Sequence, residues 1–237
     1  MFNRRNLSII VLAGGFGKRL NKIVSGKPKI LAPIGDKAFL FYFLKWIKPL
    51  SEMNNCQLVF SVFYKSDLII NYLNDKDLKF KVSLDEKPYG TFGAVCNAAM
   101  KYQSQDYLIL NGDTIFDCDF FQIYKQFLSN LDKPLLILKE KHVSDRYCGY
   151  INSNQNWIYS KSDCHAVSMG AYFISNKELQ RRWNKSTQLE FNLVDFDKIK
   201  KILMNDEDCL AVDSVKGYLL KGNAFFIDIG IEESFSN

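Results

Sequence analysis

Histidine is nearly missing from this chain of 237 residues, which has only His142 and His165. Their separation is not a metal-ligand spacing, and neither falls in a motif described below, so a histidine metal centre is not expected. Paired cysteines are also missing. Cys56, Cys96, Cys118, Cys148, Cys164 and Cys209 stand alone, with no Cys-x-x-Cys and no secretion signal. That pattern argues against a disulfide framework or a zinc site and for a reducing cytoplasm. No apolar run approaches the roughly 20 residues that span a bilayer, so membrane insertion is not expected. The chain carries 31 Lys and Arg against 26 Asp and Glu, a formal charge of +5, but no basic tail. Nucleic acid is therefore a poor candidate partner, while small anions remain good ones. No Pro/Gly/Ser-rich linker, internal repeat or low-complexity segment divides the sequence.

What is present is an ample core, with 47% hydrophobic and 14% aromatic residues. Leu7 to Ala13 is an apolar run, broken only by Ser8 and followed by Gly-Gly, which reads as a strand buried on both faces of a parallel sheet. Strand-like and helical stretches then alternate. Leu58–Phe63, Phe80–Leu84 and Tyr107–Leu110 are expected as strands, and Asp67–Leu73 and Thr91–Lys101 as helices. The rhythm predicts a doubly wound α/β fold with a mostly parallel central sheet. From Pro134 it changes to shorter strand-like pieces, Leu135–Leu138, Gly149–Asn152 and Met169–Ile174. Helices are expected near Lys177–Trp183 and over Phe191–Leu203. One domain is expected over residues 1–237, with 1–133 as the larger half and 134–237 as a small lobe. Tyr42, Phe43, Trp46 and the two histidines are read as core or surface packing.

The stretch "VLAGGFGKRLNKIVSGKPKILAPIG", Val11 to Gly35, carries the chemistry. Gly14, Gly15 and Gly17 clear side chains from a turn where successive amides can converge on an anion. Arg19 adds a planar fork suited to phosphate oxygens, and Lys29 a mobile point charge. Glycine also serves turns for steric reasons alone, so the glycines gain meaning only with Arg19 and Pro28-Lys29. This is no Walker loop, and the dinucleotide fingerprint fails at Leu20.

G-G-x-G-x-R-L followed by P-K-x-L-x-P-I closely resembles the signature of sugar-1-phosphate nucleotidylyltransferases. The resemblance implies that Leu12, Ala13, Gly14, Gly15, Gly17 and Lys18 wrap a nucleoside triphosphate, with Arg19 and Lys29 on its phosphates. Two further stretches extend it. "EKPYGTFGAVCNA", Glu86 to Ala98, matches the family's base-binding segment, which implies base contacts at Glu86, Pro88, Gly90 and Thr91; the plain alternative is a loop feeding a helix, with Thr91 as its cap. "YLILNGDTIFDCD", Tyr107 to Asp119, ends an apolar strand in Asn111-Gly112-Asp113, where a carboxylate faces the ligand crevice of a parallel sheet. A structural carboxylate capping a turn is the competing reading. "AFFIDIG" repeats the device at Asp228, which resembles the family's second metal-binding aspartate. Two aspartates from distant segments suit a hard octahedral cation, and the resemblance implies Mg2+ at Asp113 and Asp228.

Matches over residues 9–34, 85–94, 107–114 and 224–232 cover the chain in order. The forms "NGDTIFD", "FIDIG" and "DRY" (Asp145–Tyr147), with the short length, look like the heptose-1-phosphate and mannose-1-phosphate guanylyltransferase branch. The fold implied is the Rossmann-like nucleotidyltransferase fold with a small acceptor-binding lobe. The activity implied is transfer of a nucleoside monophosphate, from GTP by preference, to a sugar 1-phosphate of heptose or mannose type, by a cytoplasmic monomer or homodimer. Acceptor contacts fall on Arg146, Tyr147, Gly149, Lys161 and Gly170. The pattern departs from the family where Ser160 and Ser168 replace an acidic and an amide residue. An acceptor other than a sugar phosphate, another base such as cytosine, and a non-catalytic regulatory homologue therefore stay open. Asp85 stands beside Glu86 as a second carboxylate able to accept from guanine. Asp117-Cys118-Asp119 admits a D-x-D glycosyltransferase motif, or Asp119 as the cap of a helix over Phe120–Leu128.

Overall fold

The computed structural model describes residues 5–15, 26–76, 78–140, 148–160, 163–188, 215–220 and 225–229. They fall into two compact units, one holding the chain up to Asp117 and again from Phe225, the other holding Cys118–Ala224.

The first unit opens with β1 (Leu7–Leu12), then β2 (Pro33–Ile34) and β3 (Lys37–Ala38), a small antiparallel hairpin. Helix α1 (Phe39–Ser51), β4 (Cys56–Val62), α2 (Ser66–Asn74), β5 (Lys81–Leu84), α3 (Gly90–Lys101), β6 (Asp106–Asn111) and β7 (Thr114–Phe116) follow. Strands β5, β4, β1 and β6 lie side by side in that order, all parallel. Continuous apolar runs allow this, because helices cover both faces of such a sheet; Ile9, Ile10, Val11, Val59, Phe60, Leu108 and Ile109 are fully buried.

Helix α1 was not expected from the sequence. Its buried Phe39, Leu40, Phe43, Ile47 and Leu50 recur at helical spacing. Trp46 lies edge-on to Phe43 and donates its Nε1–H to the Phe116 carbonyl at 2.8 Å, so these aromatics pack as expected. At the amino end of β6 Arg5 makes a bidentate pair with the fully buried carboxylate of Asp106, at 2.6 and 2.7 Å.

The second unit holds α4 (Phe120–Leu128), β8 (Leu135–Glu140), β9 (Cys148–Ile151), β10 (Asn156–Tyr159), β11 (Ala166–Ser175), α5 (Asn176–Gln188) and β12 (Val215–Leu220). Strand β8 runs parallel to β12 and antiparallel to β11, while β9 pairs antiparallel with β10 and β11. Tyr124, Phe127 and Phe173 stack at 5.3 to 6.1 Å between centroids and form its aromatic centre. The helix expected over Phe191–Leu203 lies outside the described residues. After this unit the chain returns to the first as β13 (Phe226–Asp228), antiparallel to β7.

The expectation that all cysteines stand alone is corrected at one pair. Pairing of β9 with β11 sets Cys148 opposite Val167 and so brings back Cys164, and the two form a disulfide with Cα atoms 5.2 Å apart. Cys56 and Cys96 are free thiols, and burial pushes both up to about 12, far from a reactive thiolate. Among the described residues no helix is long and apolar enough to cross a membrane.

Candidate active site

The carboxyl ends of the four parallel strands come to one level. Leu12 lies opposite Ser61 on one side and Asn111 on the other, and Val62 lies opposite Leu84. The chain proceeds outward from β1 through β4 to β5, then crosses back to β6 on the other side of β1. That reversal places a crevice beyond the ends of β1 and β6, where ligands bind in open α/β sheets.

Three segments meet there. Beyond β1, the amide of Ala13 donates to the Ser61 carbonyl at 2.8 Å, and Gly14 passes so close to Phe63 that a Cβ would stand 3.1 Å from that side chain's own. Gly15 is exposed with nothing near its missing Cβ, so its backbone is open to a ligand. Gly17, Lys18 and Arg19 lie outside the described residues.

The second segment is Asn111-Gly112-Asp113. The amide of Gly112 donates to the Leu12 carbonyl at 3.0 Å, and a Cβ on Gly112 would lie 2.7 Å from that oxygen. Glycine is required by this close approach of two strand ends. It also brings Asp113 beside Lys29, which sits in a single 3-10 turn, Lys29–Leu31, anchored by the buried Ile30. The Lys29 ammonium donates to Oδ2 of Asp113, and the Thr114 hydroxyl donates to Oδ1 at 3.0 Å. Both side chains of the ion pair keep about a quarter or less of their surface open, 21% and 26%.

Asp228 arrives through β13. It lies opposite Thr114 in the β13–β7 ladder, and the next amide, Ile229, donates to the Asp113 carbonyl at 3.1 Å. The sequence suggested a second strand end like that of Asp113; here it belongs to a two-stranded antiparallel pair. Asp228 is nevertheless 8% exposed, on a strand bonded to the Asp113 segment. Among the described residues no group of three or more His, Cys, Asp or Glu side chains gathers for a metal. Two carboxylates and a hydroxyl suit a cation that takes its remaining oxygens from phosphate and water, so the donor set fits Mg2+.

The third segment follows β5. Asp85 and Glu86 are adjacent in sequence but differ in environment. Asp85 is 6% exposed; Asn97 Nδ2 donates to its Oδ1 at 2.6 Å and the Ser61 hydroxyl to its Oδ2 at 3.4 Å. Burial raises its carboxyl above the ordinary 3.8, against the lowering effect of those hydrogen bonds and of Lys101. Glu86 and Pro88 are exposed. Of the two carboxylates, the buried one ties β5 to α3 and β4, and the exposed one is open to a ligand. Gly90, at φ +74°, makes the left-handed turn that opens α3. Thr91 is exposed inside the first turn; the N-cap is Tyr89, without a side-chain bond, so Thr91 is not the cap.

In the second unit, Gly149 is packed so closely on β10 that a Cβ would lie 2.0 Å from the Ile158 carbonyl. Gly170, at φ +68°, lies between Ser168 and Tyr172, where the pairing of β11 with β8 shifts register. Ser160 and Ser168 both accept from backbone amides nearby, Asp163 at 2.9 Å and Gly170 at 3.2 Å, so each hydroxyl shapes its own turn. Arg146, Tyr147 and Lys161 lie outside the described residues. Asp119 accepts from the Phe121 and Gln122 amides at 3.0 Å each and caps α4, as the helix-cap reading had it.

A family model described as nucleotidyl transferase matches residues 8–208. The chain belongs to the nucleotidyl transferase family. Among curated relatives of this nucleotidyl transferase, a D-glycero-alpha-D-manno-heptose 1-phosphate guanylyltransferase of Aneurinibacillus thermoaerophilus is 29% identical over 234 residues, 97% of this chain and 95% of that protein. Its namesake from Campylobacter jejuni is 28% identical over 236 residues, covering 97% of each. The fold is shared with HddC of Yersinia pseudotuberculosis complexed with GMP-PN, at a TM-score of 0.74 and 22% identity, covering 97% of this chain and 96% of that one. This likeness bears out the Rossmann-like nucleotidyltransferase fold expected from the sequence.

Proposed function

We propose that this protein transfers a nucleoside monophosphate, from GTP by preference, to a sugar 1-phosphate of heptose or mannose type, with release of pyrophosphate. The observation that carries the reading is the ion pair of Lys29 with Asp113 at the strand ends where the glycine turn begins, with Asp228 paired opposite Thr114 in the neighbouring strand. The two guanylyltransferase relatives, matched over nearly the full chain, supply the preference for nucleotide and acceptor.

The turn at Gly14 and Gly15, open at Gly15, receives the triphosphate, assisted by Lys29 and Arg19. Glu86 accepts from the base edge, and Asp85 holds the strand end behind it. Asp113 and Asp228 hold Mg2+, which when bound neutralises charge on the phosphate under attack. Arg146, Tyr147, Gly149, Lys161 and Gly170 orient the acceptor so that its phosphate oxygen meets the α-phosphorus in line with the departing pyrophosphate. That oxygen is already ionised at neutral pH, so no general base is required. Catalysis consists of alignment and preorganised charge. The cytoplasm is the compartment proposed for it, and the assembly a monomer or homodimer.

The test is pyrophosphate release with Mg2+ from each of the four NTPs, paired with mannose, heptose and glucose 1-phosphates and with choline phosphate. Release confined to GTP with a heptose or mannose 1-phosphate is the expected result. Release with CTP and choline phosphate would replace both substrates. Hydrolysis of a nucleotide sugar without pyrophosphate release would point to a glycosyltransferase instead.

A further inference from the structure

A carboxylate that is to hold a divalent cation needs an oxygen free to do so. In Asp113 neither oxygen is idle, since Oδ1 takes the Thr114 hydroxyl at 3.0 Å and Oδ2 takes the Lys29 ammonium. A hydroxyl can stay beside a cation, because it can turn its own oxygen outward. An ammonium cannot, because two positive charges on one oxygen repel strongly at contact distance.

The backbone under Lys29 is fixed while its side chain is free to swing. Pro28 sets the approach at φ −55°, the 3-10 turn closes through Leu31 and Ala32 amides at 2.9 Å each, and Ile30 is 2% exposed. The Ile30 side chain also reaches Gly112, where its Cδ1 would stand 3.0 Å from an added Cβ. The turn therefore stays against the Asp113 segment whatever the ammonium does. A four-carbon stem then lets one charge serve two anions in succession, the carboxylate and a phosphate.

We propose that Lys29 is the resident counter-ion of Asp113, holding the carboxylate until metal and nucleotide arrive together. The inference rests on the reading of Asp113 as a metal ligand and adds a role for Lys29 before any substrate is bound. Metal alone must share the carboxylate with the ammonium or displace it into solvent, so it binds weakly. Metal with a triphosphate gives the displaced ammonium a new anion, so each ligand favours the other. Coupling of this kind is reciprocal by necessity.

The experiment is a titration of Mn2+ into nucleotide-free protein, followed by loss of the free-ion electron paramagnetic resonance signal, which does not depend on turnover. Wild type, Lys29→Met, Asp113→Asn and Lys65→Met are compared, the last removing an exposed lysine whose Nζ donates to the Gly26 carbonyl. Lys29→Met is expected to bind Mn2+ about fivefold tighter than wild type, the upper scale of one partly exposed ion pair. Lys65→Met is expected to stay within about twofold of wild type, as for an exposed charge screened by solvent. Unchanged or weaker binding in Lys29→Met, with binding lost in Asp113→Asn, would overturn the counter-ion role and leave the metal reading standing. Equal tightening in both lysine variants would reduce the effect to net charge and would also overturn it. Undiminished binding in Asp113→Asn would remove the metal reading, and the counter-ion role with it.

Discussion

Asn97 donates its side-chain amide to Asp85 at 2.6 Å, joining the face of α3 to the end of β5 directly behind the segment assigned to the base. The carboxylate is buried, and its proton affinity is raised by that burial. A raised value means the folded protein binds this proton more tightly than the unfolded chain does. The stability it contributes is therefore complete below 3.8 and is lost as pH rises through the higher folded value. Asp85→Asn keeps an acceptor for Asn97 and removes the charge, so the variant should gain on wild type across that window and hold its advantage at neutral pH. Urea unfolding of both proteins at several pH values from 3.5 to 7 checks this. A gap that stays constant with pH would refute it.

Glu86 should answer differently, because its carboxylate is exposed. Glu86→Ala is expected to raise the Michaelis constant for the nucleotide about tenfold, the scale of one charge-assisted hydrogen bond, with the acceptor's constant unchanged. Steady-state pyrophosphate release with each substrate varied in turn reads both.

Asp113→Asn and Asp228→Asn should each lower turnover by about two to three orders of magnitude, the usual scale for one preorganised electrostatic group. Their circular dichroism should match wild type. Turnover within a few-fold of wild type in either variant would sink the metal role of that residue.

Asp119 bonds two free amides at the start of α4, and a cap of this kind is worth about 1 kcal/mol. Asp119→Ala should lower the melting temperature while turnover at 25 °C stays near wild type, and Asp117→Ala should change little. A large loss of turnover in both would revive the D-x-D reading.

An added methyl group at position 112 would press on the Leu12 carbonyl, a backbone atom held in the ladder. Gly112→Ala should cost about 1 to 3 kcal/mol, the range for overpacking a tight contact. A shift of the urea midpoint without a change in slope is the expected signature.

The parallel strands were legible because a strand buried on both faces is apolar along its middle, as Ile9–Leu12 and Tyr107–Leu110 are. Helix α1 was not, since "FLFYFLKWIKPL" is apolar at most positions and blurs its own period, and Pro49 sits in its last turn. Strands β10 and β12 are too short or too mixed to stand out. The glycines and aspartates of the site could be read from strand-end position and from resemblance. The pairing of Lys29 with Asp113 could not, because 84 positions separate them and only the sheet brings them together. The same holds for Cys148 and Cys164. Burial divides Asp85 from Glu86, and neighbouring letters carry no sign of it.

Strand β13 pairs with β7 across an insertion that contains the whole second unit, with Ile227 set against Ile115. This imposes an order of assembly on a chain emerging from the ribosome. The glycine turn, Lys29 and Asp113 can take their places around β1, β4 and β6 early, but Asp228 reaches them only after the intervening unit has been made. If Asp228 serves as proposed, a nascent chain would be able to hold nucleotide before it could react, and competence would come last in synthesis.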